Sequence, residues 1–218
     1  MNTVLPARFL FRYSFPVKKF AKLPKRGKTL LGLGAECALR NLGDLDQGNH
    51  FAEIRLGWNE NGLGVALHVR GKKHPAVGDV KKPTESDGVQ IWIDTRDTKT
   101  IHRASRFCHH FCLLPSASGP NKDRPAVAQL PIARAREQAT IADSENFKII
   151  SAHLKTGYSL EAWFSREQLT GFDPEASPRL GFYFHVRDSE LGDQFLSIGE
   201  EFPFASDPSM WGSLELVG

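Results

Sequence analysis

Apolar and polar residues alternate in many short stretches of this chain. Between residues 88 and 94, for example, Val89, Ile91 and Ile93 alternate with polar or aromatic neighbours. Successive side chains of a β-strand point to opposite faces of the sheet, so this pattern predicts a strand with one buried face. Similar stretches predict strands over 9–15, 51–58, 63–69, 88–94, 106–114, 146–154, 158–164, 181–187 and 212–217.

The stretches between the predicted strands carry turn signals. Asn61-Gly62 separates two of the strands, and both residues tolerate the positive φ of a tight hairpin. Residues 71–87 and 115–126 are rich in Gly, Pro and polar residues, which predicts loops. We therefore expect a hairpin turn at Asn61-Gly62 and two longer loops.

Helical signal is confined to one place. Ser165 is a good N-cap, Gln168 follows three residues later as in a capping box, and Gly171 is a typical helix end. Many short strands with so little helix predict an all-β fold of about 9–11 strands. The fold class that fits is an antiparallel β-sandwich of the immunoglobulin-like or jelly-roll type, in one domain over residues 1–218.

The charge of the chain is unevenly distributed. The 218 residues are 40% apolar and 24% charged, as in ordinary globular proteins, with a net charge of +3. Residues 1–35 hold eight Lys or Arg and no acidic residue, which can mark a nucleic-acid-binding arm. Because apolar residues and Pro interrupt the cations, the pattern favours a basic strand and loop extension at a sheet edge, with no nucleic-acid partner.

Membrane and export signals are absent from the sequence. No apolar stretch approaches the ~20 residues that span a bilayer, and none has the order of a secretory signal. We therefore expect no membrane association and a cytoplasmic location. The odd number of cysteines fits reduced thiols, so Cys37, Cys108 and Cys112 are predicted to be free.

The densest group of chemically active side chains lies between His102 and Cys112. On an extended strand, Cys108, His110 and Cys112 point one way and His109 the other. Such ligands suit zinc, but a closed zinc site usually combines ligand pairs from separate turns, and the sequence has no second pair. The segment is therefore predicted to be a strand with one face in the core and one face toward a ligand.

Catalytic motifs are missing, whereas polar strand faces are frequent. The sequence has no hydrolase elbow, metalloprotease, phosphate-loop or dinucleotide motif, and no spacing marks a glycosidase carboxylate pair. Three strand faces mix aromatic rings with hydrogen-bonding groups: Gln90, Trp92 and Asp94; Glu161 and Trp163; Tyr183, His185 and Arg187. Such a face suits a sugar, which stacks its C–H surface on rings and pairs its hydroxyls. The alternative is that these rings are half-buried under loops.

The segment Ser86–Asp94 (SDGVQIWID) resembles a motif of the family 9 carbohydrate-binding modules and their wider DOMON-like relatives. Other segments follow in that family's order: 51–69, Gly157–Ala162 (GYSLEA), Arg179–Phe182 (RLGF) and Asp207–Leu214 (DPSMWGSL). The resemblance extends over roughly residues 45–218. It implies a carbohydrate-binding β-sandwich, with structural calcium in some members and no other cofactor.

The resemblance also implies where a sugar would bind. The two tryptophans that clamp a sugar in the family correspond to Thr84 and Ala205 here, with Phe202 and Phe204 beside the second. The polar positions of the family's binding face fall on or near Gln90, His110 and His185, and strand parity predicts that these three share one exposed face. The predicted carbohydrate-binding set is Gln90, Trp92, Arg106, His110, His185, Arg187 and Phe204.

Three functional hypotheses follow. The first is a non-catalytic module for a carbohydrate or related polyhydroxylated ligand, with a specificity altered by the loss of the clamp at Thr84 and Ala205. The second is a structural or protein-interaction sandwich that has lost sugar binding. The third is a glycosidase-related enzyme that uses the His-rich strand. The polar groups that remain favour the first, so a saccharide is the expected partner.

Overall fold

A computed structural model describes residues 11–40, 42 and 50–218 of the protein. Within these residues it contains eleven strands and four short 3₁₀ turns, the latter at Ala35–Cys37, Pro83–Glu85, Ser144–Asn146 and Pro208–Met210. The strands are β1 Ser14–Lys18, β2 Ala52–Asn59, β3 Gly62–Arg70, β4 Gly88–Asp94, β5 Cys108–Ser118, β6 Arg124–Leu130, β7 Lys148–Leu154, β8 Gly157–Ser165, β9 Arg179–Asp188, β10 Gly192–Phe195 and β11 Gly212–Val217. In the described ranges, no helix has the length and apolar character needed to cross a membrane.

The strands form two sheets. The larger has seven strands in the order β1-β11-β9-β4-β5-β6, with β10 paired to β9, and the smaller has the order β2-β3-β8-β7. The named strands pair antiparallel except β1, which runs parallel to β11 at an edge of the larger sheet. The predicted all-β sandwich is therefore confirmed.

One face of each sheet contributes to a shared apolar core. On β4, Val89, Ile91 and Ile93 are at most 1% exposed, as their alternation predicts. On β3, Leu63 and Leu67 are fully buried in the same cluster. The polar residues between these positions must then lie on the outer faces of the sheets.

Parts of both outer faces are covered by other segments of the chain. Residues 20–37 lie across the four-stranded sheet, where Leu31 and Trp163 belong to one small apolar cluster. Glu161 on β8 anchors this segment by accepting hydrogen bonds at 2.6, 2.9 and 3.0 Å from the backbone N–H groups of Leu30, Leu31 and Gly32. Residues 195–211 cover part of the seven-stranded sheet in a similar way.

A buried ion cluster joins the ends of three strands. Lys72, just after β3, is 2% exposed, and its Nζ lies 3.0 Å from Asp87 Oδ2 and 2.9 Å from Asp188 Oδ1. The backbone N–H of Ser189 also donates to Asp87 at 2.6 Å. Buried charges are tolerated when they are paired and hydrogen-bonded, so one ammonium here holds two carboxylates in place.

Several predicted elements need correction. Residues 9 and 10 of the predicted strand 9–15 lie outside the described residues, and β1 begins only at Ser14. The predicted loop 115–126 contains the end of β5 and the start of β6, which pair around a turn at 119–123. Small and polar residues dominate this hairpin, so it carries little of the apolar alternation that marks a strand. The four residues of β10 are too few to show a period.

The two local motifs are present with small differences. The turn between β2 and β3 consists of Glu60 and Asn61, so Gly62, with φ +154°, is the first residue of β3 and the one with positive φ. Ser165 and Gln168 form the predicted cap, since the Ser165 N–H donates to Gln168 Oε1 at 2.8 Å. The capped segment makes a single turn and does not continue as a helix.

We expect Gly62→Ala to lower the free energy of unfolding by about 3 kcal/mol, measured by urea denaturation. Its Cβ would lie 2.1 Å from the carbonyl oxygen of Phe164, in a backbone conformation that L-residues rarely adopt. Gly27→Ala is the matched control, because Gly27 has φ +131° but no atom within 4 Å of an added Cβ. Equal losses in the two variants would contradict a clash at Gly62.

Lys72→Met should destabilise the protein by about 3–5 kcal/mol, because it leaves Asp87 and Asp188 buried without their shared cation. The control is Lys82→Met, which removes a pair with Glu85 whose two side chains are each 66% exposed. Exposed pairs contribute about 0–1 kcal/mol, so this variant should unfold almost like the wild type. A loss below about 1 kcal/mol in Lys72→Met would show that the buried cluster is not a stabilising element.

Candidate functional site

Gln90, His110 and His185 lie side by side on the outer face of the seven-stranded sheet. In the register of β4 with its neighbours, Gln90 is opposite His185 on β9, and Trp92 is opposite both His110 on β5 and Tyr183 on β9. Directly opposed residues of antiparallel strands point to the same face. The side chains that the sequence placed on three separate strands therefore come together on one surface.

These side chains form a continuous line of hydrogen bonds that ends on β10. His185 Nε2 lies 2.7 Å from Asp193 Oδ1, and His185 Nδ1 lies 3.4 Å from Gln90 Nε2. Gln90 Oε1 lies 3.1 Å from His110 Nε2. One proton arrangement satisfies all three contacts: His110 donates to Gln90, Gln90 donates to His185, and His185 donates to Asp193.

Burial keeps both imidazoles of this line neutral near pH 7. Loss of hydration lowers the pKa of His110 to about 4, and neighbouring His185 adds to the effect. Desolvation also lowers the pKa of His185, against the opposing influence of its hydrogen bond to Asp193. Glu200 raises and Arg187 lowers this same pKa, so both charges lie close to His185.

Aromatic rings pack around the polar line. Trp92 stacks on His110 with ring centroids 4.3 Å apart, Phe195 stacks on His185 at 4.3 Å, and Phe204 stacks on Tyr183 at 4.5 Å. Phe204 also meets the edge of Trp92 at 5.4 Å, so the 195–211 segment closes over this part of the sheet.

The exposure predicted for this face is therefore wrong for most of its centre. His185 and Phe204 are each 4% exposed, His110 is 8% exposed and Trp92 is 1% exposed. Strand parity predicts the correct face of the sheet but not the segment that folds across it. Polar groups remain accessible at the rim, where Gln90 is half-buried, the Asp193 side chain is 37% exposed, and Arg187 and Glu200 are exposed.

Arg106 lies apart from the line. It precedes β5, where its guanidinium is 5.1 Å from the ring of Phe107 and 3.7 Å from the carboxylate of Glu137. The clamp positions Thr84 and Ala205 are both exposed. Asp193 and Phe195, which complete the line and cover His185, were not predicted. The turn signal at Gly192, which has φ +89°, could have indicated the β9–β10 hairpin that carries them.

Comparison with known proteins gives the family. The sequence profile of the family described as "Carbohydrate family 9 binding domain-like" matches residues 38–218. The chain belongs to this family.

Solved structures agree with the fold of a family 9 domain. A family 9 module from Caldicellulosiruptor kristjanssonii in complex with glucose has a TM-score of 0.63, with 16% identity over 94% of this chain and 96% of that chain. A family 9 module of the same organism in complex with cellotriose has a TM-score of 0.62, with 16% identity over 94% of both chains. No curated protein sequence gives a significant match.

A metal ion held by side chains would need several His, Cys, Asp or Glu residues of this family 9 domain to meet in one place. In the described ranges, no group of three His, Cys, Asp or Glu is placed to hold one. Asp87 and Asp188 lie together, but Lys72 already supplies a positive charge between them. On β5, burial raises the pKa of Cys108 and Cys112 to about 12, so both thiols are protonated near neutral pH.

A serine, a histidine and an aspartate also meet at the surface of the family 9 domain, but not as a catalytic triad. Asp207 Oδ2 and Ser209 Oγ each lie 3.1 Å from Nδ1 of His102. In a triad the carboxylate and the hydroxyl contact different nitrogens of the ring. This cluster therefore gives no support to the enzyme hypothesis.

We expect the stability of the protein to fall as the pH is lowered from about 6.5 toward 4. In this window an unfolded histidine binds a proton, whereas folded His110 stays neutral until its pKa of about 4, so protonation favours unfolding. His110→Gln should make the fall shallower, as measured by urea midpoints between about pH 7 and pH 5. His153→Gln, at an exposed position, is the control and should keep the wild-type slope. Parallel slopes for all three proteins would contradict a buried neutral His110.

Proposed function

We propose that this family 9 domain is a non-catalytic module that binds a carbohydrate at the outer face of the seven-stranded sheet. The observation that carries the proposal is the hydrogen-bonded line from Asp193 through His185 and Gln90 to His110. Two members of the line reach solvent, the half-buried amide of Gln90 and the carboxylate of Asp193, and the exposed Arg187 is opposite Asp193 on β9. Glucose and cellotriose in the related modules are the same class of ligand.

The groups at the rim match the needs of sugar hydroxyls. A hydroxyl both donates and accepts, so it pairs with a carboxylate such as Asp193 or a donor such as Arg187. Phe195 is half-buried beside them and can contact the C–H surface of a ring with its accessible part. His110 and His185 act as positioning residues, because they are buried and fix the orientation of Gln90.

The specificity proposed here differs from that of a clamp of two indoles. The corresponding residues, Thr84 and Ala205, are small and exposed, so they offer no stacking surface. Binding then depends on directional hydrogen bonds at the rim. These discriminate between hydroxyl configurations but bury less apolar area than a clamp of two indoles would.

The second hypothesis, a protein-interaction sandwich without sugar binding, is favoured by one observation. All four tryptophans are buried, from 1% exposed at Trp92 to 7% at Trp58, so none offers an open indole face for a sugar to stack on.

The three free cysteines are also buried. This fits a reducing compartment such as the cytoplasm under either hypothesis.

Calorimetric titration with glucose, cellobiose and cellotriose tests the proposal. Arg187→Ala should weaken the tightest of these complexes by about tenfold or more, since it removes a charged donor from the rim. Arg26→Ala is the matched control, because Arg26 is an exposed arginine on the segment that covers the other sheet. If none of the sugars binds, or if both variants lose affinity equally, the interaction hypothesis takes first place.

The same titration tests the altered specificity with a double variant at the two clamp positions. Thr84→Trp combined with Ala205→Trp should raise the affinity for glucose by about tenfold, because stacking on two rings adds buried apolar area. The double variant Thr29→Trp and Ala35→Trp places the same residues at exposed positions on the other sheet's cover and should have no effect. Unchanged affinity in the first variant would show that these positions do not face the ligand.

A further inference from the structure

Arginines gather at one end of the seven-stranded sheet, beyond the last residues of β4 and the first of β5. All of them are exposed: Arg96, Arg103, Arg106, Arg134 and Arg136. The loops 102–107 and 131–137, which carry four of the five, are joined by hydrogen bonds. The N–H of Arg136 donates to the carbonyl of Ala104 at 2.7 Å, and Arg103 Nε donates to the carbonyl of Arg134 at 2.8 Å.

A cavity of about 400 Å³ opens between these loops and the 203–207 loop. Its lining residues are His102, Arg103, Arg134, Pro203, Ser206 and Asp207. Of the charged groups in this wall, two are guanidinium groups and one is a carboxylate. The cavity therefore carries an excess of positive charge.

The two arginines of the cavity are not paired with a carboxylate of the described residues, whereas four arginines elsewhere are. Arg55, Arg106, Arg166 and Arg179 each lie within 4 Å of a carboxylate. Across residues 11–40, 42 and 50–218, neither Arg103 nor Arg134 has such a partner. Two guanidinium groups held in adjacent loops repel each other. An anion bound between them would attract both and so offset this repulsion.

The backbone of Arg134 is strained in a way that suits a binding position. Its φ is +58°, in the left-handed region that residues with a Cβ seldom adopt. Arg103 stabilises this turn through the carbonyl of Arg134, so the guanidinium of Arg134 projects from a fixed backbone. Strained non-glycine residues of this kind cluster at ligand-binding sites.

The carboxylate in the wall is already occupied. Asp207 accepts hydrogen bonds from the backbone N–H of Ser209 at 3.0 Å and from Ser209 Oγ at 2.6 Å, and His102 Nδ1 lies 3.1 Å away. Its side chain is 13% exposed, against 76% for His102. Asp207 therefore orders the loop, and its charge offsets that of one of the two guanidinium groups.

The cavity and the proposed sugar site share the 203–207 loop. Phe204 packs on Trp92 and Tyr183 of the sugar site, whereas Pro203, Ser206 and Asp207 face the cavity. Gln90 at the rim and Asp94, beyond which the cavity lies, are four residues or ~13 Å apart along β4. A saccharide of several units that crosses this loop would therefore be needed to contact both.

We propose that this cavity binds the anionic group of an acidic sugar, so that the ligand of the domain is an acidic saccharide. The shared chemistry is an oxyanion on a sugar ring, either the carboxylate of a uronic acid or a sulfate ester. The fork of Arg134 can bind either group through paired N–H···O bonds. Arg103, whose Nε and Nη2 donate to the carbonyls of Arg134 and Ala135, contributes its charge and its remaining N–H groups. The inference rests on the proposed function, because it extends the same binding surface.

The test compares trigalacturonate, cellotriose bearing a 6-sulfate ester, glucose and cellotriose by calorimetric titration. Wild-type protein should bind at least one of the two acidic ligands about tenfold more tightly than the neutral ligand of the same length, and the preferred ligand identifies the oxyanion. Arg134→Gln should abolish this preference while leaving cellotriose affinity unchanged. Arg26→Gln, an exposed arginine over the other sheet, should retain the preference.

The outcomes separate this inference from the proposed function. Equal affinity for acidic and neutral ligands overturns the acidic-sugar inference alone. A preference that Arg26→Gln weakens as much as Arg134→Gln overturns it too, because the attraction is then a general charge effect. Absence of binding to all four ligands overturns the inference together with the proposed function.

Discussion

The binding face of this protein depends on the register of β4 between β5 and β9. Val89, Ile91 and Ile93 are buried in the core, and a shift of one residue would expose all three to the outer face. The burial of these aliphatic side chains therefore forces Gln90 and Trp92 outward, next to their partners on the neighbouring strands. The packing of these three side chains in this way determines the geometry of a polar site on the opposite face of the sheet.

Once assembled, the polar line is a rigid element. Every contact from His110 to Asp193 is satisfied by one arrangement in which both histidines are neutral, and such complete networks hold their members in single orientations. The aromatic rings stacked on both histidines limit their motion further. A ligand at the rim therefore meets preorganised groups and orders few side chains on binding, which lowers the entropic cost of association.

The sequence predicts the strands that alternate clearly and the faces of β4, β5 and β9, because strand parity is a local property. It does not predict the cover over Trp92, since residues 195–211 have no period that shows which surface they meet. Asp193 accepts the hydrogen bond at the end of the line, but it is not predicted because the four residues of β10 are too few to show a period. The cavity with Arg103 and Arg134 unites three loops that are distant in sequence, so tertiary structure alone defines it.

The segment 20–37 has a consequence for where the folding unit begins. The family profile matches from residue 38, whereas the anchor of this segment, Glu161, lies deep within the matched region. A chain shortened to the family boundary would lose the three N–H groups that hydrogen-bond this carboxylate and would uncover Trp163, which is now 4% exposed. The bare sheet would present a hydrophobic surface for self-association. The evolutionary unit and the thermodynamic unit of this protein thus have different boundaries.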